Sequence, residues 1–164
     1  MAGSVALVTV VHVLISLVAM GAGFVVIGGF LNGRSGSLAS LLFLGMTGLT
    51  SVTGFLFPWN GITPAAGVGV VSLVVFVPTC YALRRGVAGR WRSVYVLGAM
   101  LLLYFNVFVL VAQLFLKVPA MRELAPTQRE APFLIVQLAV AGSFVVLALR
   151  AHTCCVQTPA RHVR

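Results

Sequence analysis

Five long apolar runs, separated by connections that hold nearly all of the charge, organise this chain. A helix that crosses hydrocarbon needs about 20 predominantly apolar residues, because each residue rises roughly 1.5 Å and every backbone polar group must be satisfied within the segment. The windows that qualify run from about Ser4 to Leu31, Leu38 to Phe57, Gly67 to Leu83, Val94 to Leu116 and Pro132 to Leu149. The first is long enough to tilt, and the second ends at Pro58 and Trp59, a pair suited to a membrane interface. The third is the shortest and carries Pro78 near its end, where the missing backbone donor predicts a kink. Pro132 suits the first position of a helix. The pattern predicts an all-α transmembrane helix bundle of five spans over residues 1–149, followed by a basic tail over 150–164. The alternative makes the last apolar stretch re-entrant and leaves four spans.

Composition strengthens the membrane reading. With 60% hydrophobic and 8% charged residues in a chain of 164, there is more apolar surface than a soluble domain of this size buries. Eleven Lys and Arg stand against two acids, Glu123 and Glu130, but the basic residues lie between apolar runs. They report topology, and no nucleic-acid partner is expected. Three cysteines, Cys80 and the vicinal Cys154 and Cys155, form no disulfide framework. Nothing charged precedes the first run except the terminal amine, so that run reads as a retained span rather than a cleaved signal.

Orientation follows from where the basic residues fall, because cytoplasmic connections carry the excess. Arg34, then Arg84, Arg85, Arg90 and Arg92, then Arg150, Arg161 and Arg164 occupy loops one and three and the tail. Lys117, Arg122 and Arg129 are the only basic residues in loops two and four. The N-terminus is therefore expected outside and the C-terminus in the cytoplasm.

That topology places the polar residues of the spans by depth. His12 and Ser16 of the first span, Thr50 with its neighbours Thr47, Ser51 and Thr53 in the second, Asn106, Gln113 and Lys117 of the fourth, and Gln137 of the fifth all fall in the outer half. Asn106, Gln113 and Lys117 are spaced by seven and four residues and share one helical stripe. Small residues and hydroxyls also serve helix packing, and Lys117 also suits snorkelling to the interface. His12, Asn106 and Gln113 are too polar to face lipid without partners. Together these residues outline an outer pocket that would hydrogen-bond the carbonyl or hydroxyl of a quinone, lipid or isoprenoid. Loop four, with three prolines and both acids, reads as an outer cap formed by Arg122, Glu123, Gln128, Arg129 and Glu130.

Several chemistries find little footing. A bis-imidazole haem needs two histidines at matching depth, and only His12 lies in a span; haem would need Met20, Met46 or Met100 as second ligand, or a partner chain. No span holds Asp or Glu, which disfavours carboxylate-coupled transport. No nucleophile motif accompanies His12 and Ser16, so no catalytic residue is assigned. His152, Cys154, Cys155 and His162 have unmatched spacing for a metal.

The stretches Thr50-Ser-Val-Thr-Gly-Phe-Leu-Phe-Pro58, Tyr104 to Pro119 and Leu124-Ala-Pro-Thr-Gln128 resemble those of small polytopic bacterial membrane proteins that carry no assigned activity. The resemblance covers most of the chain and implies a bacterial inner membrane and nothing catalytic. The expectation is a non-enzymatic accessory subunit or ligand-binding bundle in the bilayer, with a membrane-protein complex as partner in the first case. A redox-associated protein binding quinone or haem is the alternative, and a facilitative transporter the third option.

Overall fold

The computed structural model describes residues 2–34, 38–55 and 64–157. Among them the chain is helical throughout: α1 (Ala2–Leu31), α2 (Leu38–Gly54), α3 (Pro64–Arg84), α4 (Arg90–Lys117), α5 (Pro119–Leu124) and α6 (Ala131–His152), closed by a π-helical turn at Thr153–Gln157. The all-α bundle expected from the apolar runs is the observed fold.

Helices α1, α3, α4 and α6 are long and apolar enough to cross a membrane. Helix α2 has 17 described residues, which at 1.5 Å per residue is about 25 Å and slightly short of the hydrocarbon thickness. The expectation for this span extended to Phe57, and residues 56 and 57 lie outside the described residues. The run expected to be shortest, in α3, instead forms 21 residues of continuous helix through Pro78. The last run, for which a re-entrant path was the alternative, is a long helix of spanning length.

Helix α4 is the axis of the bundle, with α1, α3, α5 and α6 packed on it, while α2 lies between α1 and α3. Small residues set how closely the helices approach. Gly98 of α4 faces Thr79 of α3 so tightly that a Cβ there would overlap the threonine hydroxyl. A Cβ on Gly23 of α1 would lie 2.7 Å from Leu103 and 3.0 Å from Phe43. The core around these crossings holds Phe30, Phe43, Tyr95, Leu102 and Leu103, with Phe30 and Tyr95 meeting edge to face at 5.6 Å. Leu14, Val25, Val74 and Leu138 instead point outward. An apolar exterior of this kind is what hydrocarbon solvates and water does not.

The two ends of the bundle differ. At one, α5 and the following loop fold back on a small satellite core of Phe115, Ala125 and Phe133, with the two rings edge to face at 5.4 Å. At the other, the chain carries helix past the boundary expected at Arg150: Ala151 and Cys155 lie in the main core. The Arg92 guanidinium donates to the Cys155 carbonyl at 3.2 Å and fastens the π turn to α4. The rest of the expected tail, residues 158–164, lies outside the described residues.

Candidate functional site

Antiparallel register fixes which polar groups share a level. Gly23 faces Leu103 across α1 and α4, so His12, eleven residues earlier on α1, stands opposite the turn that contains Gln113. Lys117 ends α4 about one turn beyond this level. Gln137 of α6 faces Phe108, about 7 Å deeper than Gln113 along α4.

His12 is locked to α2. Its Nδ1 lies 2.8 Å from the Thr53 hydroxyl, which itself donates to the Leu49 carbonyl at 2.7 Å. A hydroxyl that spends its proton on a carbonyl accepts from the ring, so Nδ1 carries the hydrogen and Nε2 is the acceptor nitrogen. One turn deeper, Ser16 donates to the His12 carbonyl at 2.8 Å and reaches the Thr50 hydroxyl at 3.4 Å. These four residues zip α1 to α2, which accounts for Ser16 and Thr50 as packing elements. Gly54 lies beside the ring, where an added Cβ would make ordinary contact with it at 3.6 Å.

The α4 stripe separates into two kinds of residue. Asn106 folds back on its own helix, donating to the Leu102 carbonyl at 3.0 Å. One amide N–H is thus met on its own helix rather than across the bundle. Gln113 is half-buried and has no hydrogen bond among the described residues. Lys117 is exposed and makes no ion pair among them.

Gln137 is the polar side chain with the most at stake. Only 7% exposed, it donates through Nε2 to the Phe108 carbonyl at 3.1 Å, while its Oε1 accepts nothing. The Thr47 hydroxyl is the other fully enclosed group of this half without a partner. A buried acceptor without a donor costs about 1–3 kcal/mol.

Loop four is held by hydrogen bonds to its own backbone and to α4. Glu130 precedes α6 and turns its carboxylate onto its own loop, accepting from the Thr127 backbone at 3.1 Å, the Thr127 hydroxyl at 2.8 Å and the Arg129 backbone at 3.0 Å. Desolvation would raise its pKa, but the Thr127 hydroxyl and the surrounding backbone N–H groups outweigh it and hold the carboxyl below its ordinary range. Arg122, Glu123 and Arg129 are exposed, and no ion pair joins them among the described residues. Gln128 adopts a positive φ of 60° and donates to the Ala112 carbonyl at 2.6 Å, pinning the cap to α4.

Thr53 was missed as a partner of His12, although its spacing of three from Thr50 mirrors the spacing of four between His12 and Ser16. Reading that signal requires knowing that α1 and α2 are antiparallel neighbours. Also missed was Tyr104, whose ring meets Phe108 at 6.1 Å and Phe144 at 5.7 Å and forms an aromatic floor below Gln137.

No protein-family model, curated protein or solved structure matches the chain. Among the described residues no group of three or more His, Cys, Asp and Glu is placed to hold a metal ion. Met20 lies eight residues from His12 on the same helix, roughly 12 Å away, and Met100 lies deeper still beside the α1–α4 crossing. Neither reaches an iron bound at His12, so the haem expectation finds no second ligand in these two residues.

Proposed function

We propose that this protein is a small multi-pass protein of a bacterial inner membrane that binds a hydrophobic ligand at the Lys117 end, which faces outward. The ligand is an isoprenoid-type lipid or quinol whose hydroxyl donates to Gln137 Oε1, with Tyr104, Phe108 and Phe144 alongside the apolar chain. One observation carries this reading: Gln137, held on α6 against Phe108 of α4, keeps an enclosed acceptor with no donor. Buried polar atoms are rarely left unpaired, and a ligand hydroxyl would satisfy this one. The His12–Thr53 pair serves to hold α1 against α2 at the mouth and is not assigned to the ligand.

The test is lipid extraction and mass spectrometry on protein purified in mild detergent. Wild type is expected to retain one hydroxylated isoprenoid or quinol species near one per chain, and Gln137→Leu to lose it. Equal retention by both proteins would defeat the reading. A Soret band in the purified protein would replace it with a haem protein.

A further inference from the structure

We propose that the end of the bundle opposite Lys117 clamps the phosphate of an anionic phospholipid between Arg85 and Arg90. Both acidic side chains of the chain, Glu123 and Glu130, belong to the cap at the Lys117 end. Arg34, Arg84, Arg85, Arg90, Arg92 and Arg150 all gather at the other end. These six guanidinium groups therefore have no side-chain carboxylate of their own protein within reach, and their counter-ions come from outside it.

Two of the six are pre-ordered. Tyr81, in the last turn of α3, and Trp91, in the first turn of α4, meet edge to face at 4.8 Å. The Arg85 guanidinium lies 5.1 Å from the Tyr81 ring centre and donates to its hydroxyl, and the Arg90 guanidinium lies 5.4 Å from the Trp91 ring centre. Stacking holds each planar fork in place without consuming all its donors, which lowers the ordering cost of meeting a phosphate. Arg92, by contrast, is committed to the carbonyls of Val87 and Cys155.

A second observation selects lipid over free phosphate. Val74, Val77 and Tyr81 are exposed at helical spacing on α3, and Arg90, Leu97 and Leu101 are exposed at spacings of seven and four on α4. Each arginine thus heads an apolar stripe that descends into the hydrocarbon, so a headgroup at the arginines has its acyl chains against protein. Aromatic rings at this level are the usual markers of the headgroup region.

Substituting Trp59→Phe leaves Trp91 as the single tryptophan of the chain, so its quenching by brominated lipids reports which lipid sits beside it. In bilayers, brominated phosphatidylglycerol is expected to quench Trp91 at a roughly 25-fold lower mole fraction than brominated phosphatidylcholine, two arginines at about fivefold each. The preference should fall about fivefold for each arginine lost in R85Q, R90Q and R85Q/R90Q. R90Q alone suffices should the double variant unfold, because Arg90 is exposed and makes no hydrogen bond among the described residues. R122Q/R129Q, at the other end, should leave the preference intact. Equal quenching by the two lipids in the parent, a preference that survives R90Q, or an equal loss in R122Q/R129Q each overturns the proposal. Removal of the preference by inorganic phosphate at matched ionic strength would assign the clamp to free phosphate and overturn it as well.

Discussion

Replacing Gln137 by Leu separates the cost of its buried amide from its use. The substitution removes the bond from Nε2 to the Phe108 carbonyl, 3.1 Å long, and a membrane helix–helix hydrogen bond of this kind averages about 0.6 kcal/mol. Phe108 loses little, since it lies inside α4 and its carbonyl keeps the N–H four residues on. The substitution also removes Oε1, which accepts nothing and whose desolvation costs about 1–3 kcal/mol. Leucine approximates the volume and keeps the contact of α6 with α4, so packing changes little. The balance predicts that Gln137→Leu in delipidated protein is neutral or more stable by up to about 2 kcal/mol, measured by denaturant titration in mixed micelles. Protein loaded with its ligand behaves in the opposite sense: wild type gains stability on loading and Gln137→Leu does not. Destabilisation of the delipidated variant by more than about 2 kcal/mol would refute the reasoning, because it would mean that the amide is fully paired within the protein.

Three further outcomes follow from other parts of the structure. Gly98→Ala should destabilise by roughly 1–3 kcal/mol because the new Cβ meets the stiff, β-branched Thr79; Gly23→Ala should cost less, since it meets flexible ends of Leu103 and Phe43, and Gly45→Ala, with nothing nearby, should be close to neutral in the same titration. The Glu130 cap should loosen in acid: its folded pKa is depressed, so its contribution is present above the ordinary carboxylate pKa and lost as pH falls through the lowered value. Amide exchange at Thr127 and Arg129 should accelerate over that window in wild type and show no such step in Glu130→Gln. Arg92→Leu should release the π turn, so that Cys155, 1% exposed in the native protein, becomes reactive to maleimide while Cys154 changes little.

The helices were legible because hydrocarbon imposes one rule on every span, a long apolar run with its backbone satisfied internally. The helix boundaries in loop four were legible too, since Pro119 and Pro132 lie at the starts of α5 and α6. The partners of polar groups were not. Periodicity places Asn106, Gln113 and Lys117 on one stripe, yet Asn106 spends its amide on its own helix, a local choice that spacing does not encode. His12 pairs with Thr53, and Gln137 with a carbonyl of α4, only because α2 flanks α1 and α6 flanks α4. Helix adjacency is decided by close crossings such as Gly98 on Thr79, and hydropathy carries little trace of it. Glu130 likewise satisfies nearby backbone donors, a local partnership that the charge pattern does not encode.

Side-specific cysteine labelling in intact cells, in a background without native cysteines, tests the five-crossing, outward-facing account most directly. Arg129→Cys should react with a membrane-impermeant maleimide from outside, whereas Arg34→Cys and Arg90→Cys should react only after the cells are opened. Protection of both Arg34→Cys and Arg90→Cys requires α2 to cross, because a chain in which α2 stayed on one side would place them on opposite sides. External labelling of Arg90→Cys together with protection of Arg129→Cys would contradict the account and turn the Gln137 site to face the cytoplasm.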